Sequence, residues 1–396
     1  MKLNWLYIAW RNVGLKKLQT TLSLVLLAFG VGLVSLLMLC EKQLSETFDR
    51  NIEDIDLVLG AKGSPLQLIL ANVYHVDAPT GNIRLSDAEK VMRHPYIAEG
   101  IPLAYGDNYR GYRIVGSTEA YTGHYGATVA EGREVEGSFE VLVGDKVAEA
   151  TGLKVGDEFF SAHGLQDETD VHADKVFRVV GRLEPSGTVL DQLLLCTIST
   201  IWEVHEGHGE AVAAEDREIT AVLLKKRNPL AVLTIPNTIR DTNMQVALPS
   251  IEINRLTQNF GIGMNTLRAI ALLIMLISFA SIFISVYDNL LARRYELALM
   301  RTMGGSRGGL FLLLLLEGGL LSIGGSLFGL VLSRLGLVAL AKLLEDKFRY
   351  DWSNISLMPE ETVLIGLAIF VGLIAASIPG ISAVRIDTSR TLSEAQ

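Results

Sequence analysis

The stretch Arg293–Arg334, RRYELALMRTMGGSRGGLFLLLLLEGGLLSIGGSLFGLVLSR, decides the fold of this chain. It opens with a short segment in which Leu297, Ala298 and Met300 stand between charged residues. Glycine pairs at 304–305 and 308–309 interrupt this segment, and an apolar run follows. That run is long enough to cross the roughly 30 Å hydrocarbon core of a bilayer. The stretch therefore predicts a charged amphipathic segment placed immediately before a membrane span.

Three further apolar runs, each almost free of charge, lie outside this stretch. They predict an α-helical membrane protein with four transmembrane helices, at 20–40, 267–288, 310–334 and 362–379. Pro379-Gly380 is expected to end the last helix. Between the first two helices lies a polar segment, 41–266, which predicts a large mixed α/β extracytoplasmic (periplasmic) domain with helical stalks.

The remaining segments are short and predict elements at the membrane surface. Residues 1–19 predict an interfacial helix, with Leu3, Leu6, Trp10 and Val13 near one face. Residues 289–309 predict a cytoplasmic coupling segment, 335–361 an external loop and 380–396 a cytoplasmic tail.

The charge of the chain is divided between the insert and the rest. Residues 41–266 carry 20 Lys and Arg against 34 Asp and Glu, a net charge of −14, and the other residues carry 15 against 10, a net charge of +5. An acidic insert argues against a nucleic-acid partner. Lys and Arg gather in the short segments beside the spans, which predicts that both termini lie in the cytoplasm. Cys40 and Cys196 predict free thiols.

Within the insert, strand patterns occur at 112–115, 140–143, 177–180, 193–195 and 219–223, and helical patterns at 86–92 and 145–150. Helical continuations of the spans are expected at 41–56 and 257–266. The stretch 56–83 is apolar and interrupted by Gly and Pro. It fits a loop over the membrane surface, a piece of a substrate path or packing filler.

No G-x-x-x-x-G-K-[ST] motif occurs in the sequence, and Gly60–Ser64 has the right residue types at the wrong spacing. The chain is therefore predicted not to be an enzyme and to bind no cofactor of its own. If ATP is used, a partner subunit binds ATP and magnesium and hydrolyses the ATP.

Candidate functional residues are few. Glu317 is a carboxylate inside the third span, and it predicts either a structural pair or helix contact, or a mechanistic role. Gly325 and Gly329 form a GxxxG pattern that favours close packing against another span, from this chain or from a second copy. His205 and His208 are weak candidates for metal binding, and the alternative is an exposed polar loop.

Several local motifs resemble one known family, the MacB/FtsX-type ABC transporter permeases. This family includes the macrolide exporter, the lipoprotein-releasing permeases and the cell-division permease. The matching motifs are AWRN at 9–12 leading to KKLQTT at 16–21, RYELALMRTMGG at 294–305, Glu317 followed by Gly325 and Gly329, and ASIP at 376–379 followed by AVR at 383–385. In the insert, 143–157 and 177–181 resemble the lipoprotein-releasing permeases, while 56–83 has no counterpart.

The resemblance implies a permease subunit that works by mechanotransmission. A cytoplasmic ABC ATPase dimer would act on the coupling segment, and a second permease copy or a sister permease would complete the membrane part. The ATPase-coupling residues implied are Arg294, Glu296, Leu297, Ala298, Arg301 and Gly304.

The substrate implied is lipid-linked, a lipoprotein or amphipathic, with membrane lipids around the spans and a periplasmic adaptor or substrate protein as a possible partner. Two alternatives stay open: a regulatory subunit that controls an external hydrolase or adaptor, and metal-linked transport.

Overall fold

The computed structural model describes residues 4–14, 17–163, 171–205, 216–348 and 356–385, and at 163, 171–174, 205 and 343–348 it describes the backbone alone. The chain divides into two compact units. The membrane unit comprises Met1–Leu44 and Phe260–Gln396, and the insert domain comprises Ser45–Asn259.

In the described residues the helices are α1 Trp5–Val13, α2 Lys17–Ile52, α3 Pro65–Asn72, α4 Leu85–Met92, α5 Glu119–His124, α6 Asp145–Thr151, α7 Ile198–His205, α8 Ala231–Thr238, α9 Pro249–Ala292, α10 Arg294–Thr302, α11 Arg307–Phe348 and α12 Pro359–Val384. The strands are β1 Leu57–Ala61, β2 Ile83–Arg84, β3 Ile97–Tyr109, β4 Tyr112–Ser117, β5 Val129–Gly132, β6 Glu140–Val143, β7 Glu158–His163, β8 Val171–Leu183, β9 Leu194–Thr197, β10 Glu218–Ile219, β11 Ala221–Lys226 and β12 Met244–Ala247. A 3-10 helix covers Val189–Gln192.

In the described residues, four helices are long and apolar enough to cross a membrane: α2, α9, α11 and α12. They confirm the predicted class, a four-helix membrane protein with a mixed α/β domain between the first two helices. With 36 and 44 residues, α2 and α9 are about 54 and 66 Å long, at 1.5 Å per residue. Both exceed the roughly 30 Å core of a bilayer, so each continues beyond it as one unbroken helix.

Two helix ends differ from the sequence expectation. Helix α11 continues to Phe348 and α12 begins at Pro359, so a large part of the expected loop at 335–361 is helical. Helix α12 also runs through Pro379 to Val384. A proline is tolerated there because neighbouring helices compensate for the disturbed backbone, and Gly380 lets Phe311 approach closely, since a Cβ on Gly380 would lie 2.9 Å from that ring.

The insert domain is built on one mixed sheet with the strand order β12-β1-β11-β3-β4-β9-β6-β8-β5, to which β7 adds by pairing with β3 and β8. The pairs β4–β9 and β6–β8 are parallel, and the others along this path are antiparallel. Every strand and helix pattern expected in the insert overlaps an observed element, and 140–143 coincides with β6. The long strand β3 was not expected, because Gly100, Pro102 and Gly106 interrupt its pattern.

The chain enters and leaves the insert domain through neighbouring strands. Strand β1 follows the end of α2 and pairs antiparallel with β12, which directly precedes α9. In this register Val58 faces Ala247 and Ala61 faces Met244. The stretch 56–83 is therefore a structural part of the domain that supplies β1, α3 and β2.

A buried guanidinium holds this stretch against the sheet. Arg113, on β4, is 4% exposed and donates hydrogen bonds to the carbonyls of Ala71 at 3.2 Å and Asp77 at 2.9 Å. Its guanidinium lies 4.5 Å from the centre of the Tyr105 ring, and the Tyr105 hydroxyl lies 2.6 Å from Asn72 Oδ1. Burial lowers the pKa of Arg113 and raises that of Tyr105, while the interactions of Arg113 with Tyr105 and with the Asp77 carboxylate raise the pKa of Arg113 and oppose the effect of burial. The two carbonyls and the ring stabilise the cation further.

We expect Arg113→Ala to lower the free energy of unfolding of the insert domain by about 3 kcal/mol, because two buried carbonyls lose their charged donor. Denaturant titration of the full chain, followed by limited proteolysis of the insert domain, measures this change. The control is Arg93→Ala, since Arg93 has a 79% exposed side chain paired with Glu89 and should contribute less than about 0.5 kcal/mol. Equal effects of the two substitutions would contradict the anchoring role.

Candidate functional site

Helix α10 forms a short amphipathic element between α9 and α11. Its inner face is Leu297 and Ala298, which are 4% and 0% exposed and pack in the core of the membrane unit. Arg294 and Glu296 lie on the exposed side, and Arg293 Nε donates a 2.9 Å hydrogen bond to Glu296 Oε2. Among the predicted coupling residues, Leu297 and Ala298 are therefore buried and hold α10 to the membrane unit, whereas Arg294 and Glu296 face outward.

An apolar stripe runs along the outer side of α10, and the sequence analysis missed it. Tyr295, Leu299 and Met303 are 50%, 45% and 81% exposed. Their spacing of four residues places them on one helical face, and this spacing was the signal available in the sequence. Together with Arg294 and Glu296, the stripe has the mixture of apolar centre and charged margin that is typical of a docking surface.

The end of α10 requires a glycine. Gly304 has a φ of +101°, in the left-handed region that favours glycine. The next residue, Gly305, donates from its backbone nitrogen to the Met300 carbonyl at 2.8 Å. This turn stops α10 sharply, so that α11 can begin at Arg307. Arg301 lies in the last turn of α10 and is half-buried.

Glu317 is buried inside the membrane unit, and its partner is an asparagine of α1. It is 2% exposed, and its Oε1 accepts a 2.6 Å hydrogen bond from Asn12 Nδ2, while Oε2 has no hydrogen-bond partner among the residues that the structure describes. Of the two interpretations of Glu317 given above, the geometry describes a helix contact. Asn12 lies within the AWRN motif, but nothing in the sequence joins it to Glu317 over a separation of 305 residues.

Helix α1 packs on α11 along the same side. Ala9 is fully buried, and the ring of Trp5 fits over Gly309, where an added Cβ would lie 2.4 Å from Trp5 Cζ2. Leu6 and Trp10, expected on the lipid-facing side, are 55% and 70% exposed. Leu3 lies outside the described residues. Helix α1 thus combines a face bound to α11 with an exposed apolar face.

The GxxxG pattern of α11 is occupied by α2 of the same chain. A Cβ on Gly329 would lie 2.9 Å from the Ala28 carbonyl oxygen, and one on Gly325 would lie 2.7 Å from Leu27 Cδ2. Gly32 completes the contact from the other side, because its added Cβ would lie 2.8 Å from the Gly329 oxygen. The sequence left open whether this pattern packs against a span of the same chain or of a second copy, and in the structure it packs against α2 of the same chain.

A buried ion pair joins three helices at the opposite end of α11. Glu361 on α12 is fully buried and binds both terminal nitrogens of Arg334, with Oε2 2.6 Å from Nη2. Ser35 of α2 donates to Glu361 Oε1 at 2.5 Å and accepts from Arg334 at 3.1 Å, and the Met358 backbone nitrogen donates to Glu361 Oε2 at 3.0 Å. The sequence analysis assigned Glu361 to an external loop, although its position at the start of an apolar run was visible.

The metal and thiol candidates contribute no site in the part of the chain that the structure describes. His208 and the side chain of His205 fall outside that part, and within it no group of three or more His, Cys, Asp or Glu residues could hold a metal ion. Cys40 and Cys196 are free thiols, as expected. Burial raises the pKa of the Cys196 thiol, which makes it unreactive.

We expect Arg334→Gln and Glu361→Gln each to lower the free energy of unfolding by about 3–5 kcal/mol, because each leaves a buried charge without its partner. The double variant should lose much less than the sum of the two. The unfolding free energies of the wild type, the two single variants and the double variant, measured on purified protein in mixed micelles, form a double-mutant cycle. Strictly additive losses would show that the two side chains do not interact.

We expect Gly329→Ala to destabilise the membrane unit by about 1–3 kcal/mol, because the new methyl group meets backbone atoms of α2 that cannot move aside. Gly366→Ala is the matched control, since a Cβ on Gly366 meets nothing within 4 Å. The same micelle unfolding assay compares them. If both substitutions leave the unfolding free energy unchanged, that result would contradict the close contact between α2 and α11.

Comparison with known proteins places both units in one family. A family model described as the MacB-like periplasmic core domain matches residues 20–229, more than half of the chain, and one described as the FtsX-like permease C-terminal domain matches residues 268–387. An uncharacterized ABC transporter permease protein of Mycobacterium tuberculosis is 28% identical over 330 residues, 76% of this chain and 36% of that protein. The chain thus spans little more than a third of that relative's length.

Two solved structures are similar to this chain at low identity. The periplasmic region of MacB from Actinobacillus actinomycetemcomitans is 14% identical with a TM-score of 0.36, covering 53% of this chain and 96% of that one. The extracellular domain of the noncanonic ABC-type transporter YknZ from Gram-positive bacteria is 13% identical with a TM-score of 0.32, covering 48% of this chain and 98% of that one. The two family models together confirm the resemblance seen in the motifs, and the chain belongs to the MacB/FtsX-type family of ABC transporter permeases.

Proposed function

We propose that this chain is the permease subunit of an ABC transporter and that α10 is the element on which a partner ATPase acts. The observation that carries the proposal is the division of α10 into two faces. Leu297 and Ala298 fix it to the membrane unit, while Tyr295, Leu299 and Met303 form an exposed apolar stripe beside charged residues. A partner that binds this stripe and moves it must also move the membrane unit, because the opposite face of α10 is buried there.

The proposed topology places α10 and both termini in the cytoplasm of a bacterial cell, with the insert domain outside its inner membrane. The Lys and Arg residues beside the spans support it. ATP and magnesium would be bound by the partner ATPase dimer. A second copy of this chain, or a sister permease, would supply the other half of the membrane part.

The buried charges of the membrane unit favour mechanical transmission over conduction of a polar substrate. In the described residues of α11 and α12, Glu317 is held by Asn12, and Glu361 by Arg334 and Ser35. These groups join helices to one another, which suits helices that move as connected bodies. The proposed substrate class is a lipid-linked, lipoprotein or amphipathic molecule that the insert domain releases or extracts.

Regulation of an external hydrolase or adaptor is the second candidate function, and the same coupling surface would serve it. The two functions differ in the molecule that the permease binds on the external side, which is a cargo in one case and a regulated protein in the other. Purification from the native membrane would return a lipid-linked cargo in the first case and a stoichiometric external protein in the second.

We expect the double substitution Tyr295→Ser/Leu299→Ser to weaken binding of the ATPase at least about tenfold, because two exposed apolar contacts at the centre of an interface contribute more than 1.4 kcal/mol together. Glu296→Ala and Arg301→Ala should separate ATP hydrolysis from function while membrane insertion is retained. Affinity purification followed by an ATPase assay of the complex measures both effects.

The control for this experiment is Leu357→Ser, since Leu357 is 66% exposed but lies beside the start of α12, at the end of α11 opposite to α10. It should leave the complex intact. Undiminished ATPase binding by the α10 double variant would show that the ATPase does not dock on this stripe. Absence of any co-purifying ATPase from the native membrane would overturn the proposed function itself.

A further inference from the structure

The last turn of α2 ends inside the insert domain, where it is held by side chains and a turn of that domain. Asn51 is at the centre of this contact and is fully buried. Its Oδ1 accepts a 2.9 Å hydrogen bond from the Val189 backbone nitrogen, and its own carbonyl accepts a 3.1 Å bond from the Tyr125 hydroxyl. Its Nδ2 donates back to the Thr47 carbonyl at 2.9 Å, which fixes the side chain against the helix.

The hydrogen bonds of Asn51 satisfy one of the carbonyls that a helix leaves open at its end. Two neighbours on α2 add similar contacts. Arg50 Nη1 donates to the Gly187 carbonyl at 3.2 Å, and the Phe48 carbonyl accepts from the Tyr74 hydroxyl at 3.1 Å. The Phe48 and Tyr74 rings also meet edge to face at 5.1 Å. The helix end is therefore bound to the domain at three of its last five residues: Phe48, Arg50 and Asn51.

The turn that receives Asn51 is fixed from the domain side by Asp191. This residue is 3% exposed, and its Oδ1 accepts from the Ser186 backbone nitrogen at 2.8 Å, while Oδ2 accepts from the Gly187 nitrogen at 2.7 Å. Gly187 has a φ of +67°, which favours glycine at this position. Because the buried carboxylate of Asp191 accepts from two consecutive backbone nitrogens at the start of this turn, the turn is held in place without contacts from α2.

The chain that follows α2 is held firmly to the sheet only at its far end, where Ile55 is 6% exposed and the Asp56 backbone nitrogen donates to the Leu224 carbonyl at 3.0 Å. Four residues, 53–56, join the helix to β1. Asp54 has a φ of +61°, and its carboxylate binds Lys225 at 2.7 Å, but Asp54 and Lys225 have 62% and 42% exposed side chains. Surface ion pairs of this kind hold a segment weakly. Without the contacts of Asn51, we expect the helix end to rotate or bend about residues 53 and 54, which precede these firmer contacts.

We propose that Asn51 is the positioning residue that makes α2 and the insert domain respond as one body, so that movement of α2 is delivered to the sheet. This inference rests on the proposed function, in which an ATPase drives the membrane unit. Asn51 contacts no substrate in this role. It acts through Val189 and Tyr125, and its loss should leave ATP hydrolysis intact while the insert domain ceases to follow it.

The test uses the full chain reconstituted with its partner ATPase. Hydrogen exchange of the insert domain is measured by mass spectrometry with ATP and vanadate and again without nucleotide. In the wild type we expect a nucleotide-dependent difference in peptides that cover β1 and the turn at 186–192. In Asn51→Ala this difference should fall to less than half of the wild-type value, while ATP hydrolysis and assembly with the ATPase are retained.

The matched control is Asn72→Ala. Asn72 is also fully buried in the same domain, and its Nδ2 likewise donates to a carbonyl four residues earlier, that of Leu68 at 2.7 Å. The Asn72→Ala variant should lose about as much stability as the Asn51→Ala variant, but it should keep the nucleotide-dependent difference in hydrogen exchange. A loss of that difference in both variants would mean that Asn51 matters only for stability, and this result would overturn the inference.

A second pair of variants avoids the risk that Asn51→Ala fails to fold. Tyr74→Phe/Tyr125→Phe removes two hydroxyls that bind α2, whereas Tyr121→Phe removes a buried hydroxyl that lies 2.9 Å from His75 Nε2. The first should reduce the exchange difference and the second should keep it. An unchanged difference in the first would overturn the inference alone, while no nucleotide effect in the wild type would overturn the proposed function and the inference with it.

Discussion

The backbones of α2 and α11 touch at Gly32 and Gly329, and the arrangement of the membrane unit depends on that contact. Within a bilayer, apolar surface gives no driving force for helix association, so helices are held by close packing and by polar contacts. The glycines permit the close packing, since an added Cβ at either position would meet the other backbone within 2.9 Å. Ser35 and Ser333 lie further along the same two helices and approach to 2.9 Å.

That close approach determines where a buried charge is tolerated. Arg334 and Glu361 can be buried because Ser35 reaches both of them across the same helix contact, and because the Met358 backbone nitrogen supplies a further bond. A carboxylate at this depth without these donors would carry a large desolvation cost. Glu317 and Asn12 make a second polar contact nearer to the other end of α11. Helix α11 is thus fixed by polar contacts on either side of its middle, at Glu317 to α1 and at Arg334 to α2 and α12.

Sequence reasoning succeeded where a signal is local. Apolar length predicted the four spans, and alternation of β-branched residues predicted strands such as β6, because both patterns are set by the residues themselves. It failed where the reason is a partner distant in the chain. Nothing near Glu317 indicates Asn12, and Glu361 looked like one acidic residue among several in a loop. Strand β3 carries glycine and proline that read as turn signals, and it forms only because β11, β4 and β7 supply its hydrogen bonds.

Helix α10 combines a feature that the local sequence predicts with one that depends on distant parts of the chain. Its existence and its terminal glycine followed from the sequence, but which of its residues face outward did not. The resemblance implied one coupling set of six residues: Arg294, Glu296, Leu297, Ala298, Arg301 and Gly304. Burial separates the first four into a buried face, Leu297 and Ala298, and an exposed one, Arg294 and Glu296. The apolar stripe on the exposed face became visible only once Leu297 and Ala298 were seen to be buried.

The pairing of β1 with β12 limits how the insert domain can respond to its two long helices. Each strand directly adjoins one of them, and the two strands are bonded in a fixed register, with Leu59 opposite Val246. All five residues of β1 are buried, so a slip of one residue would move each side chain out of its packing on one face of the sheet and into the other. Neighbouring strands therefore resist sliding past each other. The ends of β1 and β12 that adjoin α2 and α9 therefore keep a fixed spacing within the sheet.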